Sequence, residues 1–126
     1  MNGSKILIDT NIALYLFNGD EDLAAELQDK EAYVSFINEL ELLGYKGITP
    51  HEVNWMELFL EECSIMDFNQ GIKEITITLR RNYKLKLPDA IIAATAIFLG
   101  IPLISADGHL IKLKIWYLLN TSPKMA

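Results

Sequence analysis

The sequence predicts an α/β fold with a central, mostly parallel sheet of four to five strands and helices on both faces. Three observations predict it. Short apolar, β-branched runs recur along the chain, at Lys5 to Ile8, Ala32 to Ser35, Cys63 to Phe68 and Pro102 to Ser105; they have the length and composition of buried strands. Between them lie longer segments whose apolar residues recur at helical spacing. One of these, Pro88 to Gly100, is almost wholly apolar, as suits a helix buried against a sheet. The resulting order, β-α-α-β-α-α-β-α-α-β-α-β, puts helical crossovers between strands, and such crossovers make neighbouring strands parallel.

Lys5 to Ile8 reads as a buried parallel strand with Asp9-Thr10-Asn11 at its carboxyl end. A short helix follows over Ile12 to Phe17 and ends at Asn18-Gly19-Asp20. Asp22 is placed to cap a second helix whose stripe is Leu23, Ala24 and Leu27. After the strand Ala32 to Ser35, a helix from Phe36 to about Tyr45 carries Phe36, Ile37, Leu40 and Leu43 as its expected buried stripe. Thr49-Pro50-His51-Glu52 has the form of a capping box with Pro at the first helical position, opening a helix through about Glu61. Asn69 can cap Gln70 to Tyr83, where Ile72, Ile75, Leu79 and Tyr83 share a face. Pro88 opens the apolar helix, Asp89 lies near its positive dipole end, and Gly100 stops it. Lys114 to Leu118 is a candidate edge strand.

A chain of 126 residues, 51% hydrophobic, suits one domain spanning 1–126 with a continuous core. No repeat, low-complexity tract or linker interrupts it. Met1 to Ser4 shows no basic stretch leading into an apolar segment, and no uncharged apolar run reaches about 18 residues; a cytoplasmic protein is expected. Cys63 is the single cysteine, which excludes an internal disulfide and a cysteine metal cage, and a buried small hydrophobe is its expected role. The net charge of −6 argues at first against a nucleic-acid partner. The average hides a split: residues 1–63 hold 13 acids and three bases, residues 64–126 four acids and eight bases, hence −10 and +4. An acidic site beside a cationic track fits that asymmetry, as do two differently charged solvated faces.

Asp9 and Asp107 close strands, and Asp89 opens a buried helix. In parallel α/β sheets ligands bind outside the carboxyl ends of the strands, near the switch in strand order. Each acid alone has an ordinary use, Asp89 as a helix-dipole carboxylate and Asp107 as a turn residue before Gly108. Three carboxylates meeting at one edge repel and raise one another's pKa values unless a cation neutralises them. Oxygen donors without nearby His or Cys favour Mg²⁺ or Mn²⁺. Such ions polarise a phosphate oxygen, activate a bound water and stabilise a leaving oxygen. A phosphotransfer enzyme with an aspartate nucleophile also sets acids at strand ends, but the second acid of its Asp-x-Asp is Asn11 here, and the paired acids of a receiver-type domain are missing too.

Ile6-Leu7-Ile8-Asp9-Thr10-Asn11-Ile12, Ser35-Phe36-Ile37-Asn38-Glu39-Leu40-Glu41-Leu42-Leu43-Gly44, Leu87-Pro88-Asp89-Ala90-Ile91-Ile92-Ala93-Ala94-Thr95-Ala96 and Pro102-Leu103-Ile104-Ser105-Ala106-Asp107 occur in this order. Together they resemble PIN-domain ribonucleases, especially the VapC-type toxins of bacterial toxin-antitoxin pairs, over nearly the whole chain. The resemblance implies a PIN-like three-layer α/β/α sandwich. It also implies an endoribonuclease dependent on Mg²⁺ or Mn²⁺, and a homodimer held inactive by a cognate antitoxin protein. It carries over Asp9 and Asp89 as metal ligands, with Glu41 and Asp107 completing an acidic pocket. Glu39 and Glu41 lie about 200° apart on a helix and flank the expected stripe equally, so periodicity leaves both open; the family pattern, counted from Ser35 and followed by Leu-Leu, selects Glu41.

Asn11 matches the family's polar residue after the first acid and can orient Asp9 or a metal-bound water; an N-cap is its plain alternative. Ser35 and Ser105 can bind metal waters or satisfy strand-end amides. His109 stands where relatives often carry another acid, and it motivates a competing reading, a PIN-like module that binds RNA or protein without cutting. Arg80, Arg81, Lys84 and Lys86 form the densest basic cluster, expected either to guide an RNA backbone toward the acids or to be a solvated helix face. His51 lies apart from the acids. Trp55, Met56 and Phe59 share a helical face suited to core or to dimer and antitoxin contacts.

Overall fold

The computed structural model describes residues 4–104. In chain order the elements are β1 (Lys5–Ile8), α1 (Thr10–Phe17), α2 (Glu21–Leu27), β2 (Glu31–Ser35), α3 (Phe36–Gly44), α4 (Pro50–Glu61), β3 (Ser64–Met66), α5 (Gln70–Asn82), α6 (Leu87–Leu99) and β4 (Leu103–Ile104). The strands form a sheet in the order β3-β2-β1-β4, and every pairing is parallel. The α/β class and the parallel sheet are therefore as expected. The candidate strand Lys114 to Leu118 lies outside the described residues.

Side chains of a strand point alternately to its two faces, and the core divides accordingly. Ile6, Ile8, Val34 and Ile104 pack with Ile12, Ala13, Leu23, Leu42, Met56 and Leu60, from α1 to α4. Leu7 and Leu103 face the other way, onto Ile72 and Leu79 of α5 and the Ile92 to Ala96 stretch of α6. Each fully buried Leu, Ile or Met is worth about 1.5–3 kcal/mol, so both layers are driven by the same apolar alternation. Thr76 and Thr95 are buried within the second layer, and each returns its hydroxyl proton to the carbonyl four residues back, at 2.7 Å.

Caps set the helix starts. Asp20, not Asp22, caps α2: its Oδ1 accepts from the Leu23 amide at 3.0 Å, which leaves Asp22 inside the first turn beside Glu21. The predicted box at α4 is present, the Glu52 amide donating to Thr49 Oγ1 and the Thr49 amide to Glu52 Oε1. Asn69 caps α5. Gly100 ends α6 at φ +69°, a left-handed conformation that costs other residues about 1–2 kcal/mol. β3 is shorter than the run Cys63 to Phe68, because the chain leaves the sheet after Met66 to reach the Asn69 cap. Phe68 is exposed and meets Phe36 edge to face at 5.5 Å.

The stripe expected on α3 is not the one observed. Leu40 is 59% exposed, whereas Asn38 and Leu42 are fully covered. A buried asparagine is tolerable only if its amide is bonded on both sides, and here it is: its Oδ1 accepts from the Ser35 amide at 2.9 Å and its Nδ2 donates to Thr10 at 3.1 Å.

The strand order places β1 between β2 and β4. The chain turns to one neighbour and later to the other, so a crevice opens at the carboxyl end of β1, where Asp9 lies.

Candidate active site

Asp9 follows Ile8 directly and is the N-cap of α1, its Oδ1 accepting from the Ile12 amide at 3.1 Å. The N-cap role considered for Asn11 thus belongs to Asp9, and Asn11 stands in the first turn, exposed. Burial raises the Asp9 carboxyl above its ordinary value of 3.8; the Ile12 and Asn11 amides pull it back, and the charges of Asp89 and Glu41 push it further up. The three carboxylates are therefore electrostatic neighbours, although they come from distant parts of the chain.

Glu41 is brought in by α3. Ser35, the last residue of β2, caps that helix together with Asn38 in a capping box. Residues three apart share a helix face, so burying Asn38 against α1 turns Glu41 to the same side. Thr10 donates its hydroxyl to Glu41 Oε1 at 2.5 Å, across 31 positions of sequence. Asp89 stands in the first turn of α6, behind Lys86 and Pro88.

Asp9, Asn11, Glu41 and Asp89 line one open cavity of about 750 Å³, with Thr10 beside them and Leu14, Leu40 and Tyr45 on its apolar side. Glu39 does not line it. The Tyr45 hydroxyl bonds Glu52 of the α4 capping box, tying the cavity's rim to that helix. Among the described residues, no group of three or more His, Cys, Asp or Glu side chains stands close enough to hold one metal ion. Asp107, Ser105 and His109 lie outside the described residues.

Arg80, Arg81, Lys84 and Lys86 are exposed along the end of α5 and its connection to α6, and none lines the cavity. Arg80 has a local task, its Nη1 donating to the Leu85 carbonyl at 2.8 Å. Met56 is fully buried. Trp55 stacks on Phe59 and meets Phe17 edge to face, both at 5.2 Å; these rings fill the layer between α1 and α4, with His51 at their exposed end. Cys63 is half-buried against the same layer, and burial pushes its thiol up to about 11.

Sequence reasoning did not single out Thr10 and Asn38 as members of the site. A signal was available, since Asn38 is a polar residue three positions before Glu41 in an otherwise apolar helix, and such a residue buries only with partners to bond.

A PIN domain family model matches residues 6–115. The chain belongs to the PIN domain family. Among solved structures it is similar to a toxin-antitoxin complex from Klebsiella pneumoniae, with 36% identity, 78% of this chain and 82% of that chain covered, and a TM-score of 0.68. It also resembles VapBC-1 from nontypeable Haemophilus influenzae (23% identity, 92% of each chain, TM-score 0.69). A third likeness is to VapBC2 from Rickettsia felis bound to a DNA fragment from their promoter (20% identity, 79% and 84% covered, TM-score 0.65). No curated protein matches this chain.

Proposed function

We propose that this protein is an endoribonuclease that hydrolyses RNA phosphodiester bonds with Mg²⁺ or Mn²⁺ and serves as the toxin of a toxin-antitoxin pair. The observation that carries the reading is the convergence of Asp9, Glu41 and Asp89 on one cavity at the carboxyl end of the central strand. The donor set fits a hard cation. It offers carboxylate oxygens without His or Cys, and burial, with a smaller push from the like charges of Asp89 and Glu41, already raises the Asp9 carboxyl, a cost of the charged form that a cation relieves. Asp9, Asp89 and Glu41 line the cavity without standing within reach of one common ion, so they would draw together around it to hold it, with Asp107 the fourth candidate. When bound, the ion supplies Lewis-acid polarisation of the phosphate and a water of lowered pKa.

The chain's own residues do the rest. Asp9 is held by the Ile12 amide and Glu41 by Thr10, so one oxygen of each is tied to the protein. Asn11, exposed in the cavity, is placed to bond a water or a ribose hydroxyl. Leu14, Leu40 and Tyr45 give a nucleobase an apolar wall. Arg81, at the end of α5, and Lys84 and Lys86, on the α5–α6 connection that leads into Asp89, meet the phosphates of the approaching strand. Arg80 shares that surface while tying the connection to Leu85.

The matched Klebsiella structure is a toxin-antitoxin complex, which supports an antitoxin as partner; a homodimer and a cytoplasmic location complete the reading. Among the described residues, no helix is long and apolar enough to cross a membrane.

Incubating the purified, Mn²⁺- or Mg²⁺-loaded protein with a broad panel of single-stranded RNAs tests this. Cleavage is expected, and it disappears in Asp9→Asn and Asp89→Asn, which keep the wild-type circular dichroism. Glu41→Gln is expected to be inactive and Glu39→Gln active; the reverse pair overturns the choice of glutamate. An intact RNA panel, with RNA or protein bound but uncut, favours the non-cleaving PIN-like module.

A further inference from the structure

Behind Glu41 lies a directed chain of hydrogen bonds that runs from β2 through α3 to α1. The Ser35 main-chain N–H donates to Asn38 Oδ1 at 2.9 Å, Asn38 Nδ2 donates to Thr10 Oγ1 at 3.1 Å, and the Thr10 hydroxyl donates to Glu41 Oε1 at 2.5 Å. The direction follows from donor chemistry. A main-chain N–H only donates, so the asparagine carbonyl faces Ser35 and its NH₂ faces Thr10. An ionised carboxylate only accepts, so the single threonine proton goes to Glu41.

Asn38 and Ser35 are fully buried, and among the described residues no buried side-chain polar atom lacks a partner. A helix cap alone does not require this arrangement. Ser35 Oγ already accepts the Ile37 amide, and capping accounts for the Asn38 carbonyl but not for the NH₂ aimed at Thr10. The link that capping leaves over is the one that reaches the cavity.

Building on the assignment of Glu41 to the cation made above, we infer that Thr10 and Asn38 are positioning residues for the Glu41 carboxylate. They pin Oε1 to the first turn of α1 and would leave Oε2 free for a cation. The α3 helix reaches the site only through side chains, whereas Asp9 is held by its own backbone turn; Glu41 therefore depends on the relay for its placement. Hydrogen-bond partners behind metal-binding side chains typically contribute about 10–100-fold in metal affinity.

Mn²⁺ binding to the purified full chain, measured by titration calorimetry without RNA, reads this directly. Thr10→Val is expected to weaken Mn²⁺ binding by about tenfold or more, and Thr10→Ser, which keeps the hydroxyl, restores it. Thr10→Ala removes the same hydroxyl without a second methyl and serves if the valine variant does not fold. In a Glu41→Gln background the Thr10 substitution has no further effect, since Thr10 acts only through that carboxylate; Asn38→Ala shows the same coupling at smaller amplitude. A Thr10→Val effect equal in both backgrounds, or none in a folded protein, overturns the positioning role while Glu41 still counts as a ligand. If Glu41→Gln itself leaves Mn²⁺ affinity unchanged, the assignment of Glu41 falls, and the inference with it.

Discussion

Two alanine substitutions in α3 set pattern against geometry. By hydropathy Leu40 belongs to the core and Asn38 to the surface, but the structure exposes 59% of Leu40 and none of Asn38. Asn38→Ala strands the buried Ser35 amide, which costs about 1–3 kcal/mol, and removes the bond to Thr10, about 0.5–1.5 kcal/mol more. Alanine's better helix propensity offsets roughly 0.5 kcal/mol. The net loss is about 1–4 kcal/mol. For a domain of this size it lowers Tm by roughly 3–6 °C per kcal/mol. Leu40→Ala, by contrast, stays within about 0.5 kcal/mol of wild type. Urea unfolding followed by far-ultraviolet circular dichroism and tryptophan fluorescence measures both, with Trp55 in the adjoining layer as a reporter. An Asn38→Ala loss below that of Leu40→Ala would refute the reasoning, because it would mean that the asparagine's bonds do not offset the burial of its amide.

Asp9→Asn keeps an oxygen for the Ile12 amide but removes a charge. Because the folded carboxyl is raised above 3.8, its contribution to stability is full below the unfolded value and is lost as the pH rises through the folded one. Metal-free Asp9→Asn is therefore expected to melt above wild type at neutral pH, and the gain shrinks as the pH falls through the raised value toward 3.8; an equal or lower neutral Tm contradicts this. Arg81→Ala and Lys84→Ala are expected to weaken RNA binding uniformly across sequences and to flatten its salt dependence. Arg80→Ala additionally destabilises the fold by about 0.5–1.5 kcal/mol through the lost bond to Leu85, seen in the same unfolding assay. Cys63, with its thiol pushed up to about 11, reacts with iodoacetamide at pH 8 far more slowly in native protein than in urea; comparable rates would contradict its burial.

The strands and most helices were legible because apolar alternation and capping chemistry act locally. Ile6 and Ile8 against Leu7 announce a two-faced strand, and Thr49 with Glu52, Asn69 and Gly100 mark helix ends within a few residues of themselves. The α2 cap is not legible in the sequence because Asp20, Glu21 and Asp22 are adjacent acids, and only geometry shows that Asp20 reaches the Leu23 amide. The α3 stripe departs from its apolar pattern for a deeper reason. Its solvent and core faces are set by what α1 offers across 28 positions, the Thr10 hydroxyl for Asn38, and no local period encodes that partner. For the same reason spacing left Glu39 and Glu41 equivalent, whereas in three dimensions only Glu41 lines the cavity.

The acids are held in a way that bears on what the site can do. Asp9 gives one oxygen to a backbone amide and Glu41 one oxygen to Thr10, so each carboxylate has lost much of its rotational freedom on folding. A long glutamate side chain held in one geometry carries up to about 1.5–2 kcal/mol of lost rotamer entropy, and that cost falls on the fold, not on the ligand. Binding to an arrangement already ordered loses less affinity to the ordering of side chains. The opposing term is the burial of the Asp9 carboxylate, with a smaller push from the charges of Asp89 and Glu41, which raises the Asp9 carboxyl and destabilises the charged cluster. On the proposed reading a cation would gain on both counts, because one oxygen each of Asp9 and Glu41 is ordered beforehand and the repulsion among the carboxylates would be relieved on binding. Added Mn²⁺ should therefore stabilise the wild-type fold by mass action and do so less in Thr10→Val, where Glu41 would have to be ordered at the moment of binding.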